Sequence, residues 1–125
     1  MTAAALGRVL VVDDEPQVVD MLRELLVELG YTVETAGHGA EALGRVPEFE
    51  PDVVLLDLQM PGLSGLQVLE QLRRGHPGLP VVIVTGNADA DVARSTLARG
   101  AFDYLRKPFQ FDVLARVVAA AAMGA

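Results

Sequence analysis

Three short runs are apolar at every position: residues 9–12, Val53–Leu56 and residues 81–84. A half-exposed strand alternates and a surface helix repeats every three to four residues, so short uninterrupted runs read as strands covered on both faces. Two weaker strands are expected at Thr32–Ala36, where Tyr31, Val33 and Thr35 alternate, and at residues 102–106. Between them the spacing turns helical. Val18, Leu22, Leu25, Leu26 and Leu29 share one face of a first helix, with Pro16 in its first turn and Gly30 as its stop. Residues 39–46 form a short second helix closed off by Pro47. Ser64 caps a third in which Leu66, Leu69 and Leu72 recur before Gly75. A fourth runs over residues 89–99 up to Gly100, and Asp112 caps a fifth that carries Val113, Leu114, Val117, Val118 and Ala121. Five strand–helix units with short connections predict right-handed crossovers and a parallel sheet with helices on both faces, a doubly wound α/β fold.

Composition narrows the class. The 125 residues are 51% apolar, enough for one domain with its own core. Residues 1–125 are therefore expected to form a single domain, with a core of about 8–120 and the run of alanines at 119–122 as a helix end or the start of a linker. Cysteine is absent, which excludes disulfides, thiolate metal sites and thiol catalysis, and fits a reducing cytoplasmic setting. No apolar run reaches membrane-spanning length. The formal charge of −7, with basic residues scattered, argues against direct nucleic-acid binding.

In an open parallel sheet, ligands bind outside the carboxyl ends of the strands. Four of the five expected strand ends carry reactive groups: Asp13 and Asp14 after the first, Asp57 after the third, Thr85 at the fourth and Lys107 after the fifth. Singly, each has an ordinary explanation, because aspartate caps helices and solvates turns, threonine suits strands, and lysine is a surface residue. Jointly, three carboxylates would repel one another unless a cation held them. With only oxygen donors on offer, a hard divalent ion is favoured: Mg²⁺, with Mn²⁺ as the substitute. A metal, an ammonium and a hydroxyl around one carboxylate suit a transferring phosphoryl group, with Asp57 as nucleophile and Lys107 as a point charge on the phosphoryl oxygens. Pro108 makes the Lys107–Pro108 bond a cis candidate that would aim the ammonium inward.

The segments VLVVDDEP, PDVVLLDLQMPGLSG, VVIVTG and GAFDYLRKPF, in this order and spacing, resemble the response-regulator receiver family over residues 8 to about 120. The resemblance implies a five-stranded flavodoxin-like sheet of order 2-1-3-4-5. It implies that Asp57 accepts a phosphoryl group from a histidine kinase or phosphotransfer protein. Asp14, Asp57 and the backbone carbonyl of Gln59 would hold Mg²⁺, with Asp13 bound through water. Thr85 would move toward the phosphoryl group and Tyr104 swing in behind it, altering the face of the fourth helix, fifth strand and fifth helix, where the family dimerises or meets partners. Tyr104 also has the plainer reading of a half-buried strand aromatic. Arg94, Arg99, Asp103 and Arg116 are candidates for ion pairs on that face, worth little if it is ordinary surface. Gln59 and Asn87 stand at variable positions beside the site and bear on the lifetime of the phosphorylated state. The segment GAFDYL leans toward receivers attached to ATPase-type or other activators, so an output domain is a candidate continuation.

Three rivals are set against this reading. An aspartate-nucleophile phosphatase needs a second acid two residues beyond the nucleophile, where Gln59 stands. A flavin carrier needs a phosphate loop where Asp13 and Asp14 would repel the ligand, and no tryptophan is present to stack on the ring. A receiver working without phosphorylation is countered by the complete set Asp13, Asp14, Asp57, Thr85 and Lys107. His38 and His76 read as surface loop residues, and Glu15 as an acid near the metal or, more simply, a favourable helix-dipole charge. Gly62 and Gly65 read as freedom in the loop after Asp57.

Overall fold

The computed structural model describes residues 6–86 and 90–123. Five parallel strands, β1 (Arg8–Val12), β2 (Thr32–Ala36), β3 (Val53–Leu56), β4 (Val81–Thr85) and β5 (Asp103–Arg106), lie in the order β2-β1-β3-β4-β5. Helices α1 (Pro16–Leu29), α2 (Gly39–Phe49), α3 (Gly65–Gly75), α4 (Ala90–Ala98) and α5 (Phe111–Ala122) connect or follow them. This is the doubly wound arrangement expected from the alternation of elements, in the flavodoxin-like strand order that the family resemblance implied.

The uninterrupted apolar runs follow from two cores that share one sheet. Along β1, Leu10 and Val12 point to the side covered by α2 and α3, where Ala42, Val46, Val68, Leu69 and Leu72 are buried. Val9 and Val11 point to the side covered by α1 and α5, against Leu22, Leu26, Leu114 and Val118. β3 and β4 alternate in the same way, so each position in the three central strands needs an apolar side chain. β2 and β5 are edges, with Thr32 and Arg106 exposed, which is why their sequence signal is mixed. Each fully buried leucine adds roughly 1.5–3 kcal/mol of transfer free energy, and the core contains eight among its largest side chains, so burial of this sandwich dominates the fold.

Several boundaries differ from expectation. α2 does not stop at Pro47 but runs on to Phe49, closed by Glu50 in the left-handed region (φ 53°). The added turn is held from outside the helix: the Arg8 guanidinium donates to Phe49 O (2.9 Å) and lies over its ring. The exposed Pro47 ring meets solvent and loses only the single bond its missing N–H would have made. α5 is capped by Gln110, not Asp112; the chain enters the helix two residues earlier because Phe109 packs into the α1–α5 core, and Asp112 becomes a first-turn acid facing Arg116. The expected start of α4 at Asp89 lies outside the described residues. Ser64 does cap α3, in a full capping box with Gln67.

Of the two glycines assigned to the loop after Asp57, Gly62 has positive φ (83°), but Gly65 is needed for space. A Cβ on Gly65 would stand 2.4 Å from Leu58 Cα and 2.7 Å from Asp57 O, both backbone. Gly65→Ala is expected to destabilise the domain by about 1–3 kcal/mol through this overlap. Gly44→Ala, in an exposed helical position with nothing within 4 Å of the new methyl, is expected to stabilise it by about 0.5–1 kcal/mol. Urea unfolding of both variants measures the pair.

Candidate functional site

Strand order reverses between β1 and β3: β1 leads outward to β2, and β3 outward to β4 and β5. The loops leaving such neighbours diverge and open a crevice at the carboxyl edge. Asp13 and Asp14 follow β1 and Asp57 follows β3, and an oxygen from each lies within 4.8 Å of the others. Asp13 and Asp57 are buried, at 3% and 4% exposure, while Asp14 is exposed.

Backbone bonds that extend the strand ladders hold these loops: Asp13 N–H donates to Ala36 O (3.1 Å) and Asp57 N–H to Val12 O (3.0 Å). Each buried carboxylate then spends one oxygen on its own turn. Asp13 Oδ1 accepts from Glu15 N–H (3.0 Å) and Asp57 Oδ1 from Gln59 N–H (3.1 Å). The other oxygen of each faces Lys107. Its ammonium stands 2.6 Å from Asp13 Oδ2 and 3.4 Å from Asp57 Oδ2, with Glu15 Oε1 at 3.8 Å. Lys107 is steered there from the strand side, because its N–H donates to Thr85 O (2.8 Å), and it precedes Pro108 through a cis peptide bond.

Burial alone would lower the Lys107 pKa, but the hydrogen bond and charge of Asp13, then those of Asp57, outweigh it and hold the ammonium above its ordinary 10.5. A raised folded pKa means this contribution to stability is complete below the unfolded value and is lost only as pH rises through the folded one. Three carboxylates against one ammonium still leave two negative charges. The donors are all hard oxygens, two buried and one open to solvent, which suits a small divalent cation that retains part of its water shell.

Thr85 is fully buried at the end of β4. Tyr104 is half-buried on β5, paired in register with Ile83 and packed against the core beneath α2 and α3. The side chain of Gln59 is exposed and reaches toward Gly86, where an added Cβ would stand 3.6 Å from its Oε1. Asn87 lies outside the described residues. A cavity of about 580 Å³ lies at the opposite, amino edge of the sheet, where Val46, Pro47, His76 and Pro80 line it away from the carboxylates.

Three features were not anticipated from residue order. Glu15, read as a dipole charge, comes within reach of Lys107. His38 is no idle loop residue, since its Nδ1 accepts from Glu41 N–H (3.2 Å) and caps α2. Beside Lys107, the residues Val18, Met21, Pro108, Phe109 and Phe111 line an apolar depression of about 440 Å³. The phenylalanines flanking the site were its only sequence signal.

A doubly wound sheet with an acidic pocket at its switch point defines the class. Residues 9–119 match the family described as response regulator receiver domain, and the chain belongs to that family. It is 45% identical over 106 residues to the DNA-binding transcriptional regulator NtrC of Escherichia coli K12, covering 85% of this chain and 23% of that protein. Likeness to the transcriptional regulatory protein KdpE of Mycobacterium tuberculosis H37Rv is 47% over 113 residues, or 90% of this chain and 50% of that one. The chain thus spans a quarter to a half of these relatives' lengths. The crystal structure of the NtrX receiver domain from Brucella abortus superposes with a TM-score of 0.89 at 35% identity, covering 94% of this chain and 99% of that one. Receiver domains are signalling modules, and the pocket of Asp13, Asp14 and Asp57 is consistent with a phosphorylation site.

Removing Lys107 leaves two buried carboxylates facing each other. Lys107→Met is expected to cost about 2 kcal/mol at pH 7 in metal-free buffer, less than a fully enclosed pair because the ammonium keeps some solvent contact. Urea unfolding of the variant beside the wild type measures it.

Proposed function

We propose that Asp57 is the phosphoacceptor of this receiver and that the chain works as a switch driven by reversible phosphorylation. The carrying observation is the buried Asp57 carboxylate between Lys107 and two further carboxylates at the sheet's switch point. In uptake, an Asp57 oxygen attacks the phosphorus, a bond to it forms, and the bond from phosphorus to the donor breaks with its electron pair leaving on the donor. That donor is a phosphohistidine on a histidine kinase or phosphotransfer protein, or a small acyl phosphate. In loss, a water oxygen attacks the phosphorus and the Asp57 carboxylate leaves.

Asp14, Asp57 and the Gln59 backbone carbonyl are the residues to hold Mg²⁺ or Mn²⁺, with Asp13 acting through water. The ion, when bound, supplies positive charge to the transferring oxygens. Lys107 supplies the second positive charge, already aimed at Asp57 by β5. Thr85 offers its hydroxyl to the phosphoryl group, and Tyr104 follows it inward, a relay supported by the adjacency of β4 and β5 in register. The output surface is the face of α4, β5 and α5, through which a second copy or an output domain would respond. Likeness to regulators two to four times its length supports reading residues 1–125 as one receiver domain of a longer transcriptional regulator. Direct nucleic-acid binding by this acidic domain is not part of the reading.

Intact mass after incubation with acetyl phosphate tests it. One phosphoryl group is expected, dependent on Mg²⁺ and absent from Asp57→Asn; no adduct under any condition would sink the reading. Separately, millimolar Mg²⁺ is expected to raise the melting temperature, and Asp14→Asn to abolish most of that rise.

A further inference from the structure

We propose that Glu15 is a positioning residue that holds the Lys107 ammonium toward the α1 side of the pocket and thereby slows phosphoryl uptake by Asp57. The inference rests on the reading of Asp57 as phosphoacceptor. Glu15 is the N-cap of α1, yet its side chain makes no capping bond. Its carboxylate lies 3.8 Å from Lys107 Nζ, and its own backbone N–H anchors Asp13. The ammonium therefore has three anionic neighbours, at 2.6 Å from Asp13, 3.4 Å from Asp57 and 3.8 Å from Glu15.

These neighbours do unequal things. Asp13 and Asp57 are buried and belong to the acidic pocket, whereas Glu15 is about half exposed and stands at its rim. A phosphoryl group arriving on Asp57 presents oxygens that must draw the ammonium toward Asp57. Attraction from Glu15 opposes that shift, and its charge also repels a dianionic donor at the mouth. Both effects have one sign and both vanish with the charge. Since the pocket already carries two uncompensated negative charges, Glu15 adds to the barrier without being needed to gather the cation.

The rate of phosphorylation is compared for the wild type, Glu15→Gln and Glu15→Asp, with acetyl phosphate in Mg²⁺ at low salt. Glu15→Gln is expected to react about threefold faster, the size of one unit charge some 6 Å from the reacting oxygens in a water-like surround. The gain should close in about 0.5 M salt, where the screening length falls to a few Å. It should also be smaller with phosphoramidate, which carries less negative charge than acetyl phosphate at neutral pH, and Glu15→Asp should stay near the wild type. Because the Glu15 side chain caps nothing, the unfolding midpoint should hardly move. A Gln variant that is equal or slower, or a gain indifferent to salt, overturns the role of Glu15 while leaving Asp57 in place. Failure of the wild type itself to take up a phosphoryl group overturns both readings together.

Discussion

Burial of β1, β3 and β4 on both faces makes the residues at their carboxyl ends the first polar groups the chain can place after each strand. Because the three strands are adjacent and parallel, those ends share one edge, and the reversal of winding between β1 and β3 opens a crevice there. The acidic pocket is thus a consequence of hydrophobic layering. Substituting a central strand residue would move the carboxylates as well as loosen the core, since Asp13 and Asp57 are tied by backbone bonds to Ala36 and Val12, the last residues of β2 and β1.

Within that frame the electrostatics are deliberately unbalanced. One ammonium compensates one buried carboxylate well and a second partly, and the remaining charge stands available to a divalent ion. A pocket fully neutralised by protein cations would be more stable and less responsive, because a new anionic group would find no cation able to shift toward it. Lys107 has anions on two sides, so a small change in their charge can alter where its ammonium sits. The loop after β3 has less freedom. Gly65 lets α3 begin directly under the Asp57 carbonyl, so this end of the pocket is fixed by contact between backbones.

Much of this was legible in residue order because the relevant signals are local. Uninterrupted apolar runs report two-sided burial, Gly30 and Ser64 report helix ends through backbone conformation and a side-chain bond, and reactive residues immediately after strands are carried to one edge by parallel winding. The helix boundaries at Pro47 and Asp112 were misjudged because contacts from distant residues set them: Arg8 supports the last turn of α2, and the packing of Phe109 advances the start of α5.

The sequence by itself determined the five alternating elements, the apolar positions of the central strands and the identity of the groups at their ends, since each depends on covalent spacing and on whether a side chain prefers water. Tertiary structure alone decided which groups meet. Lys107 lies 94 residues from Asp13 and 50 from Asp57 along the chain, yet its ammonium comes within 4 Å of both. The approach of Glu15 to that ammonium and the apolar depression beside it were settled at the same stage. Each requires the strand order and the crossing of helices over the sheet, which bring residues together irrespective of their separation in sequence.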